Sequence, residues 1–107
     1  MYKLSFYVPA SHVEQVKLAL FEQGAGRFGD YDHCAWQVLG EGQFRPLAGS
    51  SPFVGNLNED HRLAEYKVEM VCSDTAIQAA VKALLASHPY QQPAYEIYKM
   101  ADIEGLP

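Results

Sequence analysis

Residues 2–9, YKLSFYVP, alternate between Leu4, Phe6 and Val8 on one side and Lys3, Ser5 and Tyr7 on the other. That period of two predicts a half-buried strand, which Pro9 ends. Ser11 stands three positions before Glu14, the spacing of a capping box that opens a helix. Val13, Val16, Ala19 and Leu20 then recur at helical spacing, and Gly24 is the predicted C-cap. YDHCAWQVL (31–39) alternates again, GEG (40–42) reads as a turn and QFRPL (43–47) as a short return strand. RLAEYKVEMVC (62–72) is the next alternating segment. Ser73 or Asp74 caps a second helix with the stripe Ile77, Ala80, Val81, Leu84 and Leu85, which His88 and Pro89 terminate. PAYEIYKM (93–100) supplies the last strand, and ADIEGLP reads as a loose tail.

The order is strand, helix, strand, strand, helix, strand. Two such βαβ halves with right-handed crossovers predict an α+β fold, the ferredoxin-like βαββαβ sandwich. Its helices cover one face of an antiparallel sheet and leave the other open. A β-hairpin extension and a long loop occupy about residues 40–60. Seven of the eight glycines lie between Gly24 and Gly55. The stretch AGSSPFVGNLNED (48–60) is longer than compact folds carry without a role in binding or docking.

Alternation sorts side chains between the faces. The predicted helix-facing set is Leu4, Phe6, Val8, Cys34, Trp36, Val38, Val68, Met70, Cys72, Tyr95 and Ile97. The open set holds Lys3, Ser5, Tyr7, Tyr31, His33, Ala35, Gln37, Glu65, Lys67, Glu69, Glu96 and Tyr98. Tyrosines mixed with charges fit a docking face better than a wet one, which points to a homo-oligomer.

Composition narrows the function. A length of 107 residues with 49% hydrophobic content suits one domain, residues 1–107, with a real core. The net charge of −5, with eight scattered basic residues, argues against nucleic acid as a partner. No apolar run approaches the ~20 residues of a membrane span, and no signal pattern opens the chain, so a cytoplasmic location without membrane attachment is expected. Cys34 and Cys72 form no CxxC and read as buried thiols.

The candidate chemistry is sparse. Adjacent residues on a strand face opposite ways, so His33 and Cys34 do not share a metal. Asp30 follows Gly29 and suits turn chemistry. GAGRFG has the GxGxxG spacing but follows a helix, whereas the dinucleotide fingerprint follows a strand. No nucleophile–base pair emerges, and no catalytic residue is assigned. Tyr7, Tyr31, His33, Arg45 and Lys67 are the candidate ligand or interface residues. His33, His61 and His88 are the candidate ligands if a divalent metal ion serves as cofactor at a subunit interface.

GAGRFGDYDHCAWQVLGEGQFRPLAGSSPFVG, EYKVEMVC and HPYQQPAYEIY resemble, over about residues 2–100, the YqfO-type domain of the Nif-three family. The HPY turn is also similar to the CutA family, whose sandwich resembles the PII signalling proteins. The resemblance implies a PII/CutA-like fold and a trimer packed through open sheet faces. It implies an oligomeric regulatory or small-ligand-binding role without catalysis, with divalent metal binding as the alternative. Longer members carry their metal ligands in a flanking core, and no position of this chain matches them.

Overall fold

The computed structural model describes residues 1–107. Strand β1 (Tyr2–Pro9) leads to helix α1 (Val13–Glu22), strand β2 (Trp36–Phe44), strand β3 (His61–Cys72), helix α2 (Ile77–Ser87) and strand β4 (Tyr95–Lys99), and a 3₁₀ turn spans Ile103–Gly105. The sheet order is β2-β3-β1-β4 with every pairing antiparallel. This is the ferredoxin-like split βαβ arrangement, with both helices on one face.

The core follows the alternation of the two central strands. Leu4, Phe6 and Val8 of β1 and Val68 and Cys72 of β3 are fully buried, and Met70 nearly so. They meet Val13, Val16 and Leu20 of α1 and Ala80 and Leu84 of α2 in one cluster of 12 residues. Each large side chain buried there stabilises the fold by about 1.5–3 kcal/mol relative to exposure. Tyr95 and Ile97 lie opposite Phe6 and Leu4 on this face. They stay partly exposed because β4 is an edge strand.

Helix α1 ends as its sequence predicts. Gly24 takes φ +95°, its N–H reaches the Phe21 carbonyl, and the Ala25 N–H reaches the Leu20 carbonyl. This is the Schellman arrangement, in which a left-handed glycine lets the chain reverse over the last carbonyls. The predicted capping box does not form. His12 holds the N-cap position without a side-chain bond, and Ser11 Oγ meets His12 Nδ1 instead. At α2, Ser73 caps the turn that precedes the helix by accepting from the Ala76 N–H.

The second strand is the main correction. Residues 31–35 are not a strand, and GEG is not a turn. Phe28 and Tyr31 close a tight hairpin about Gly29 and Asp30, and His33 adopts φ +55°. The place beside Val71 that an earlier start would need is taken by Gly26, whose N–H donates to the Val71 carbonyl. A Cβ there would lie 2.8 Å from the Phe21 ring and 2.9 Å from the Cys34 carbonyl. Strand β2 then runs straight through Gly40 and Gly42, and the reversal comes at 45–60.

The register also reverses the expected phase. Trp36 pairs with Glu69 and Val38 with Lys67, so both belong to the open face rather than to the core. Trp36 is 59% exposed. Gln37 turns to the helix side, where its Oε1 accepts from Lys17 Nζ at 2.8 Å. Cys34 is half-buried rather than a core residue.

Candidate functional site

The open face is built in rows. Val38, Lys67 and Tyr7 lie side by side across β2, β3 and β1, and the next row holds Gly40, Glu65 and Pro9. The two glycines of β2 leave this part of the sheet as bare backbone. Over it, the 45–54 segment and residues 90–94 rise as two walls around a pocket of about 700 Å³.

Three polar groups of this pocket, Tyr7, Lys67 and Tyr90, are each held by a carboxylate. Glu65 lies flat over Gly42: a Cβ on Gly42 would fall 1.6 Å from Glu65 Oε1. Glu65 Oε2 accepts from Tyr90 Oη at 2.8 Å. Burial, then this bond and the carboxylate charge, push the Tyr90 phenol well above its ordinary range. Tyr7 Oη donates to Glu96 Oε1 at 3.1 Å, and burial with this bond also raises the Tyr7 phenol. Glu96 Oε2 is buried with no partner. Lys67 Nζ pairs with Glu69 at 3.3 Å, and that bond holds the lysine above its usual range.

His88 fixes the wall at 90–94. Its Nε2 lies 2.7 Å from the Tyr7 carbonyl, and its Nδ1 accepts the Tyr90 N–H at 3.1 Å. These partners require the neutral ring with the proton on Nε2. Burial lowers the His88 pKa despite the Tyr7 carbonyl and the Glu65 charge, and His12 adds to the lowering. The opposite wall is strapped across. The Ser51 N–H donates to Gln91 Oε1 at 2.9 Å, Phe53 meets Tyr90 at 6.2 Å, and the His12 ring meets Phe53 edge-on at 5.6 Å.

Of the residues expected from the sequence, Tyr7, Arg45 and Lys67 line this one pocket. Tyr31 and His33 do not join it. Tyr31 is 73% exposed on the 28–31 hairpin. His33 stacks on Phe21 at 4.5 Å, below the end of α1. The three candidate metal ligands are also kept apart. His61 packs on Phe44, and both ring nitrogens of His88 are taken by backbone. No three His, Cys, Asp or Glu side chains of the chain converge on a point that could hold a metal ion. Glu65, Phe44, Phe53 and Tyr90 complete the pocket, and sequence reasoning singled out none of them. The signal was Gly40 opposite Glu65 on the ladder with Gly42 two residues further on, legible only once the register is known.

Comparison with known proteins agrees with this architecture. No protein-family model matches the chain. A protein of Mycobacterium leprae named GTP cyclohydrolase 1 type 2 homolog is 46% identical over 103 residues, which are 96% of this chain and 27% of that one. The protein of the same name from Bacillus subtilis is 43% identical over 96 residues, 90% of this chain and 26% of the relative. The chain thus spans about a quarter of the length of these curated relatives. Among solved structures, a Bacillus cereus protein related to NIF3 superposes with a TM-score of 0.81 at 31% identity, covering 94% of this chain and 26% of that one. The PII-like protein CutA from Nostoc superposes with a TM-score of 0.69 at 17% identity, covering 99% of this chain and 86% of its own. The second likeness establishes the shared fold.

Proposed function

Because the chain belongs to the Nif-three family as its YqfO-type, PII/CutA-like domain, we propose that it is an oligomeric regulatory domain that binds a small ligand. The reading is non-enzymatic and cytoplasmic, with a trimer as the favoured assembly. One observation carries it: the pocket on the open sheet face gathers Tyr7, Arg45 and Lys67 under a strapped loop. Two of its polar groups are already held in place, Tyr7 by Glu96 beside the pocket and Tyr90 by Glu65 within it. Such an arrangement suits recognition in a preformed site, which spends little energy on ordering when a ligand arrives. The exposed Trp36, Val38 and Tyr98 on the same face favour a further copy as its cover.

Two measurements test this. Sedimentation at micromolar concentration should give an oligomer, and a monomer would remove the assembly from the reading. A thermal-shift screen of small ligands should find one that stabilises the chain. At about 100 times its Kd, a ligand adds about 2.7 kcal/mol, or about 10 °C for a chain of this size. The shift should change in Arg45→Ala or Lys67→Ala, weakening for an anionic ligand and strengthening for a cationic one. A shift unchanged in both variants would move the ligand elsewhere.

A further inference from the structure

Glu65 is the one half-buried charge of the pocket without an opposite charge beside it. The ion pairs of the chain join Met1 to Asp74, Lys17 to Glu14 and Lys67 to Glu69, and none includes Glu65. Lys67, two residues further along the same face, spends its charge on Glu69. Arg45 is also unpaired but exposed, where water satisfies it. A carboxylate drawn partly out of water is costly unless a cation or donors meet it. The Tyr90 hydroxyl meets one oxygen and leaves acceptor capacity on both.

The surroundings of Glu65 are aromatic. Tyr90, which orients the carboxylate, lies near both Phe44 and Phe53, each with ring centroids at 6.2 Å. The planes are tilted by 50° and 45°, so the three rings form a bent wall rather than a stack. Tyr7 lines the same pocket. Ring faces attract cations through their quadrupole, and a carboxylate among several rings is the chemistry that selects an organic cation over a hydrated inorganic one.

We propose that the pocket binds a small organic cation, with an ammonium or guanidinium head seated among Phe44, Phe53 and Tyr90 against the Glu65 carboxylate. This rests on the reading of the pocket as a ligand site and names the class of ligand. Gly42 is part of the device, because its missing side chain gives the carboxylate its place on the sheet.

The test is a titration of the full chain, followed by NMR shifts of the ring protons of Phe44 and Tyr90. Three probes are used: choline, agmatine and 3,3-dimethylbutanol, the neutral isostere of choline. One or both cations should bind at millimolar concentration or better, and the neutral isostere about tenfold more weakly. The stronger cation tells whether the head is a methylated ammonium or a guanidinium. Glu65→Gln should weaken the cation by about tenfold. Phe53→Ala, at an exposed loop position, should weaken it by about threefold and guards against a folding defect at Glu65. Equal binding of choline and its isostere overturns the proposal, as does cation affinity unchanged in Glu65→Gln. Failure of both cations also overturns it. If other compounds then still shift the pocket residues, the ligand-site reading survives alone; if nothing shifts them, both fall.

Discussion

His88→Phe keeps an aromatic ring at the end of α2 and removes both ring nitrogens. In the native chain those nitrogens serve the Tyr7 carbonyl at 2.7 Å and the Tyr90 N–H at 3.1 Å. Each such bond contributes about 0.5–1.5 kcal/mol net, and a backbone group left without its partner costs about 1–3 kcal/mol when buried. Both sites are part-buried, so a combined loss of about 2–3 kcal/mol is expected. With an unfolding entropy of about 2.1 cal/mol/K per residue, each kcal/mol moves the midpoint of a chain this long by about 4 °C. The variant should therefore melt about 10 °C below the parent, as followed by circular dichroism at fixed protein concentration near pH 7.5.

The pH dependence gives a second readout. Burial holds the native imidazole below its ordinary pKa, so the fold favours the neutral ring. Its contribution is fully present above the unfolded value of about 6.5. As pH falls below that, the unfolded chain takes up a proton that the fold resists, and the contribution drains away down to the native pKa. The gap in melting temperature between parent and variant should narrow from pH 7.5 to pH 5.5. A gap under about 2 °C at pH 7.5, or one that widens on acidification, would refute the claim that His88 pins the 90–94 wall.

Further outcomes follow from the pocket floor and the open face. Gly42→Ala puts a methyl where Glu65 Oε1 now lies and should cost about 1 kcal/mol through the displaced Tyr90–Glu65 bond. In a Glu65→Ala background the same change should be nearly neutral, and a double-mutant cycle by denaturant unfolding without coupling would reject the contact. Trp36→Ser should change the stability of the isolated fold by no more than about 0.5 kcal/mol, since the indole is 59% exposed. If a second copy covers this face, the same substitution should shift the sedimentation profile toward monomer; an unchanged profile would leave Trp36 outside the interface.

How much of this was legible in the chain depends on where each residue sits in the sheet. The central strands β1 and β3 are packed on by helices, so burial imposes its period on their sequences, and Leu4, Phe6, Val68 and Met70 read correctly. At the edge strand β2 neither face is core. Trp36 and Leu39 are 59% and 56% exposed on opposite sides, and a pattern made by burial has nothing to record. The alternation through Tyr31 and His33 therefore carries the wrong phase to Trp36, because in the fold those two residues leave the sheet. The pocket was legible only in part for a similar reason. Tyr7, Glu65 and Lys67 reach their face by alternation on central strands. Phe44 comes from the edge strand β2, and Phe53 and Tyr90 come from the 45–60 segment and the turn after α2, whose paths no period encodes.

A sheet ordinarily insulates its two faces, because a layer of hydrogen-bonded backbone transmits little from one side to the other. The 45–60 segment goes around that barrier. Phe53 touches His12 at the start of α1 and Tyr90 beyond the end of α2, while the same segment walls the pocket over the open face. The pocket and the helix layer therefore share one side chain. An occupant that displaced Phe53 would disturb its ring contacts at the start of one helix and beyond the end of the other. Amide hydrogen exchange at those two places becomes the gauge of whether the pocket is filled.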